Sequence, residues 1–278
     1  MENATDKDLG AGNALPFVAP CRRLAAGAPL GWLRRGWADM RAAPWQSAAY
    51  GLFCAVLSLL ASYVAWRWGS YWLLLAALSG FVFIAPVLCL GLYAISAQLE
   101  RGQQPAQLVS LREAGVRRLG TEMVFALLLL VVFLVWARAG SMVHVFFPME
   151  ANPALADLAT YLGIGSAIGA VFAAITFAAS AFSLPMLMHR DVDAVTAVVT
   201  SINAVLRNKP AMFVWVLCIV GLLAVGVATA FIGFLVVIPL LGFATWHGYQ
   251  ETIDATSFPR HVDGVTSKPR PDNLEFDV

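Results

Sequence analysis

The chain is short of charge. Asp, Glu, Lys and Arg make up only 13% of its 278 residues, where a soluble domain carries roughly 25%. Hydrophobic residues reach 60% and the mean hydropathy is +0.74, too apolar for a soluble core. Cysteine is scarce as well. Of the four, Cys54, Cys89 and Cys218 lie in apolar stretches and Cys21 lies near the N-terminus. Their spacing fits neither a zinc site nor a disulfide framework, and they read as small apolar packers. No H-E-x-x-H, G-x-S-x-G or Walker loop is present, which removes the commonest signatures of metalloproteases, serine hydrolases and NTPases. Residues 1–30 hold no continuous apolar core of about 7–15 residues, so they do not read as a signal peptide.

What is abundant is long apolar sequence. A bilayer-crossing helix needs about 20 mostly apolar residues. Spans are expected at about 46–66, 70–95, 119–137, 161–188, 211–229 and 231–249. No charge falls between Ala211 and Trp246; that run is too long for one crossing and should reverse near Gly226–Gly233. Of the 18 Lys and Arg, all but Arg67 and Arg138 fall on one side of these spans. Because basic residues mark cytoplasmic loops, this bias puts both termini in the cytoplasm. The same bias accounts for the basic residues through anionic lipid headgroups, with no need for nucleic acid.

The expected fold is all-α: six transmembrane helices as three hairpins, with amphipathic helices on the cytoplasmic surface. The domain occupies 29–256, between disordered tails at 1–28 and 257–278. One amphipathic helix follows Pro29, with Leu30, Leu33, Trp37 and Met40 at helical spacing and arginines between, suited to the interface plane. A second covers Val192 to Leu206, with an apolar stripe through Val195, Val198, Val199, Ile202 and Val205. Its N-cap is assigned to Asp191 and its end to Asn208 and Pro210. Ser110 to Glu113 reads as a capping box ahead of the third span.

A seven-residue frame recurs, Gly80-Phe81 to Pro86 and Gly233-Phe234 to Pro239. Both copies fall in helices returning to the cytoplasm, so the repeat is of the parallel kind. Pro86, Pro185 and Pro239 sit late in the returning helices. Each frees a carbonyl four residues back and is a candidate hinge, or else a packed kink.

The residues Gly-Trp-Leu-x-x-Gly-Trp-x-Asp within Pro29–Pro44 precede the first span. Gly80–Gly102 carries Gly-Phe-x4-Pro, then Gly91-Leu92-Tyr93, Ser96 and Leu99-Glu100-Arg101-Gly102. With 185–201 and Ala244-Thr245-Trp246-His247, these resemble a family of bacterial predicted integral membrane proteins of unknown function, over roughly 28–256. The resemblance implies a six-helix inner-membrane protein. It brings no activity, substrate or catalytic residue.

The best candidate site lies where the returning spans end. Tyr93, Gln98 and Glu100, then His189 and Asp191, then Trp246, His247, Tyr249 and Glu251 could converge on a cytoplasmic mouth; Ser96 and Gln250 accompany them. The alternative is an ordinary interfacial belt. Glu122 stands about one turn inside the third span, within reach of Arg118. His189 and His247 at similar depth could ligate haem, which nothing else in the sequence supports. Gly165 and Gly169 form a small-residue helix-packing face, internal or between copies. No catalytic residue, metal or cofactor is assigned.

Two function classes follow. One is a structural or interaction protein acting through its cytoplasmic face, its partners being the bilayer and a further copy or another membrane protein. The other is a small-molecule permease using the kinked even-numbered helices. Transport calls for polar groups at mid-membrane, where only Ser58, Ser79, Thr176 and Ser180 stand out. An open cavity faced by them would favour a permease, and a dry packed bundle would oppose one.

Overall fold

The structure, a computed structural model, describes residues 16–69, 90–104, 119–146 and 155–259. They form α1 (Ala28–Ala42), α2 (Pro44–Trp68), α3 (90–100), α4 (Leu119–Phe146), α5 (Leu155–Ser180), α6 (Ser183–His189), α7 (Ala194–Arg207), α8 (Lys209–Ala228) and α9 (Phe234–Thr252). No strand occurs among the described residues; one isolated antiparallel bridge joins Cys21 and Ile253. Three segments are long and apolar enough to cross a bilayer, Pro44–Val64, Leu155–His189 and Lys209–Ala228, and Met123–Ala139 is a shorter apolar helix. Most of the expected second span, with Pro86, Ser79 and the first Gly-Phe frame, lies outside the described residues. So do the capping box at Ser110, Arg118 and the side chain of Glu122.

α1 and α2 both pack along α9, and glycines set how closely they approach. α1 crosses it at Gly36, where a Cβ would stand 2.8 Å from Ala244 N and 3.0 Å from Leu240 O. α2 crosses it at Gly51, where a Cβ would fall on the Leu235 carbonyl, the group left without its helical donor by Pro239. α9 runs through Pro239 unbroken. Further along, Gly248 receives the ring of Trp32, Gly242 the side chain of Leu92, and Gly91 the ring of Tyr50. Small residues serve as sockets, as expected where close packing rather than water drives helix association.

α1 presents two sides: Leu33 and Met40 of the expected stripe are half-buried against the core, and a second stripe is buried more deeply. Its inner stripe is Trp32, Gly36, Asp39 and, just past its end, Ala43, whereas Leu30 is 61% and Trp37 40% exposed. Trp32 is fully buried, edge-on to Phe182 at 6.2 Å and to Trp215 at 5.5 Å. A fully enclosed indole against two rings, each such pair worth ~0.5–1.5 kcal/mol beyond its area, anchors this side of α1, with Leu33 packed beside it. Arg41 sits over the Trp37 ring on the outer side.

α7 keeps much of its expected stripe on the core, with Val192, Ile202 and Val205 half-buried against it. The buried side is Ala194, Ala197, Val198, Ser201 and Ala204 with Thr196 and Thr200, while Val195 and Leu206 point outward. Small residues and hydroxyls face inward because the neighbouring backbone offers hydrogen-bonding groups there. Ala19 N–H donates to Thr200 Oγ1 at 3.2 Å, and Phe182 N–H to Ser201 Oγ at 3.1 Å. Asp193, not Asp191, is the N-cap, accepting from Thr196 N–H at 3.1 Å. Asp191 instead gives its backbone N–H to Pro259 O at 3.0 Å.

The break ahead of Pro185 is filled. α5 ends at Ser180 and α6 starts at Ser183, with Pro185 in the first turn, where its missing N–H costs little. Ser201 plugs the gap: besides accepting from Phe182 N–H, its hydroxyl donates to Ala178 O at 2.8 Å. α8 and α9 reverse at 229–233, within the expected turn. Thr229 Oγ1 accepts from Gly233 N–H at 2.9 Å, and Ala230 and Phe231 take positive φ of 50° and 66°.

Both flanking segments are packed further out than the tail boundaries at 28 and 257. Residues 16–27 run as a strap between α7 and the end of α9. Arg22 N–H donates to Thr252 O and Asp254 N–H to Pro20 O, each at 2.8 Å. Asn208, buried, holds the strap from below: its Oδ1 accepts from Leu24 N–H at 2.8 Å and its Nδ2 donates to Arg22 O at 3.0 Å. Beyond α9, Phe258 is 3% exposed and its carbonyl accepts from Arg190 at 2.9 Å. A segment rich in small residues and prolines can be ordered when its backbone groups find such partners. Residues 1–15 and 260–278 lie outside the described set.

Candidate functional site

The polar ends of α3 and α9 meet, and α1 supplies the centre. His247, 8% exposed, places Nε2 2.8 Å from Asp39 Oδ2 and Nδ1 3.6 Å from Glu100 Oε1. The same Asp39 oxygen accepts the Ser96 hydroxyl. Glu100 Oε2 accepts from Gln250 Nε2 at 2.6 Å. The imidazole therefore stands between α1, α3 and α9. Gln98, 5% exposed, is buried on α3.

A second group lies on the other side of α9. His189 Nδ1 is 3.0 Å from Tyr249 Oη, and the His189 ring stands edge-on to Trp246 at 5.4 Å and to Tyr249 at 5.8 Å. Trp246 and Tyr249 are each 1% exposed, and the buried Trp246 Nε1 has no hydrogen-bond partner among the described residues. At the end of α9, Glu251 accepts from the Trp32 indole N–H at 3.3 Å and from Arg35.

Of the residues expected at a mouth, Glu100 and His247 come together, and His189, Trp246 and Tyr249 form their own aromatic group. Glu251 pairs with Trp32 and Arg35 of α1, Tyr93 faces an apolar cavity, and Asp191 is exposed near Pro259. Asp39, Trp32 and Arg35 were missed. The available signal was Trp32-x3-Gly36-x2-Asp39-x3-Ala43, one helical stripe with the only acidic side chain of α1. The two histidines hold different partners, His189 with Tyr249 and His247 with Asp39.

Chemically the cluster is a clasp. The Ser96 hydroxyl is given to a carboxylate rather than to imidazole, so no activated nucleophile results. Among the described residues no group of three or more His, Cys, Asp or Glu could hold a metal ion.

A cavity of about 720 Å³ lies beside the clasp, between α4, α5 and α8. Phe133, Trp136, Phe172, Phe177 and Trp215 line it, together with Thr176 and Ser180. Ser180 Oγ donates to Thr176 O at 2.7 Å. Ser58 does not line it. Gly169 does, and a Cβ on Gly165 or Gly169 would meet nothing within 4 Å, so no described helix packs on that pair.

Residues 73–189 match the model of a family described as "Predicted integral membrane protein (DUF2189)". The family resemblance read from the sequence is borne out over those residues, and the chain is a membrane protein on that ground and on its apolar helices. No curated protein and no solved structure gives a match.

Proposed function

We propose that the chain is a six-span protein of the bacterial inner membrane with both termini and the clasped end in the cytoplasm. It serves as a structural or interaction protein acting through that face. The observation that carries this reading is the closure of the clasped end. His247, Asp39, Ser96 and Glu100 spend their polar groups on one another, and the strap of residues 16–27 ties α7 to α9. A closed end presents a surface rather than a passage. That surface carries Leu30, Arg34, Trp37 and Arg41 along one face of α1, beside the 83% exposed Trp45. Arginines between aromatics suit anionic headgroups, and a second copy or another membrane protein could dock there. The one-sided distribution of Lys and Arg supports the orientation.

A photo-crosslinking residue at Trp37 in native membranes tests this. A discrete adduct, weakened by Arg34→Ala with Arg41→Ala, is expected. Labelling at Trp37 no more selective than at the 55% exposed Leu217 of α8 would sink the reading.

The permease reading draws on the cavity faced by Thr176 and Ser180. Its mostly apolar wall offers a polar solute little to bind. Solute flux in proteoliposomes that Ser180→Val abolishes would establish it over the first.

A further inference from the structure

The cavity beside the clasp has a size, a wall and a depth that together name an occupant. Its volume of about 720 Å³ falls among ligand sites, which run roughly 300–1,000 Å³. Phe133, Phe172, Phe177 and Trp215 stand in a wall that is largely apolar, and of the three hydroxyl side chains from α5 and α9, two donate to their own helices. Ser180 Oγ gives its proton to Thr176 O and Thr245 Oγ1 to Leu241 O, each at 2.7 Å. An apolar void of this size gains nothing from water, which needs two to four polar partners.

Along α5 the cavity runs from Gly169 to Ser180, ~16 Å at the helical rise of about 1.5 Å per residue. That is close to half of the ~30 Å hydrocarbon core, the depth of one leaflet. The helices that wall it also carry side chains open to the bilayer, Val131 and Leu134 on α4 and Val171 and Ile175 on α5. Lipid is the solvent next door.

We propose that this cavity is a binding site for a single acyl chain of a membrane lipid, taken from the leaflet at the clasped end. The chain lies along α5, its far end at Gly169 and its carbonyl end toward Ser180 and Thr245. The aromatic rings hold it by contact, so selectivity falls on chain shape rather than on headgroup. This goes beyond the proposed surface role and does not depend on it.

The test uses the full chain in nanodiscs containing a phospholipid with a diazirine on one acyl chain, with adducts mapped by peptide mass spectrometry. Adducts at Phe172, Thr176 or Trp215 are expected, competed by excess free long-chain fatty acid, while adducts at Val171 and Ile175 are not competed. The doubly filled variant Gly169→Leu with Ala173→Phe should lose the cavity adducts and keep the outer ones. Where that variant does not fold, the competition arm decides alone. Cavity adducts that are absent, or that neither competitor nor filling diminishes, overturn the proposal and mark contact with bulk lipid only.

Discussion

At the residue scale the glycines divide into sockets and open positions. A methyl group at Gly51 meets the Leu235 carbonyl and one at Gly36 the backbone of Ala244, whereas Gly165 and Gly169 face open space. Backbone cannot yield as a side-chain tip does. Gly36→Ala and Gly51→Ala should each cost about 1–3 kcal/mol, the range for overpacking. Gly165→Ala should be neutral, as read by thermal unfolding of the detergent-solubilised protein. Cys21 shows a different kind of enclosure. Burial pushes its thiol up, and the hydrogen bond from Asn203 and the charge of Arg207 offset only part of that. A buried thiol held protonated is a poor nucleophile. Maleimide should label Cys21 far more slowly than a cysteine placed at the exposed Leu30, and comparable rates would contradict the packed strap.

Asp193 carries a pH dependence with a definite sign. Partial burial pushes its carboxyl up, but the hydrogen bonds from Thr196 outweigh this and hold it below its ordinary value. A lowered folded value means the cap stabilises α7 at neutral pH and loses that contribution as pH falls through the lowered range. Asp193→Ala should cost about 1 kcal/mol and flatten the acid limb of a stability–pH profile. Asp193→Asn should retain most of the stability at neutral pH.

At the element scale the question is what fixes each helix. Ser201 fills the gap between α5 and α6 with two hydrogen bonds, to Phe182 N–H and Ala178 O. Removing its hydroxyl strands a buried donor and acceptor, at about 1–3 kcal/mol each when nothing replaces them. Ser201→Ala should therefore lower the unfolding temperature clearly, while Ser166→Ala, on the open side of α5, should not. An unchanged melting point for Ser201→Ala would mean that the break is held by Pro185 and packing alone.

The same scale shows what could be read in the sequence. The reversal between α8 and α9 was legible because an uncharged run from Ala211 to Trp246 exceeds one crossing. Helix α7 was legible from its spacing, and so was much of its inward side, since Val198 is buried and Val192, Ile202 and Val205 pack against the core. What periodicity does not show is the width of that side, where Thr200 and Ser201 find backbone partners. On α1 the residues that set the crossing with α9 were not legible. Gly36 contributes no hydrophobicity yet sets the crossing with α9, and Asp39 looks like a surface charge until His247 and Ser96 are seen against it. The tails were misdrawn at 28 and 257 because ordering of residues 16–27 rests on long-range backbone hydrogen bonds to Thr252, Asn208 and Thr200, which leave no local trace.

At the scale of the whole molecule, the described elements draw together at one end. α1, α3, α7, the strap and the segment after α9 are joined there by Asp39–His247–Glu100, by Asn208, and by Trp32 set among Phe182, Trp215 and Gly248. Of the candidate residues of the returning helices, Glu100 and His247 turn their polar groups on each other and on Asp39. His247→Ala should loosen this end without disturbing the apolar helices, seen as faster proteolysis within 16–42 at unchanged helical content.

The central claim is that this end is one cooperative unit with α9. Hydrogen–deuterium exchange on the full chain in nanodiscs measures it directly. The account predicts that the amides of Arg22, Leu24 and Asp254, and those of α1 and α7, exchange as slowly as the C-terminal half of α9. All should be released together by Asp39→Asn or His247→Ala. A strap and α1 that exchange within seconds while α9 stays protected, unaffected by either substitution, would contradict it.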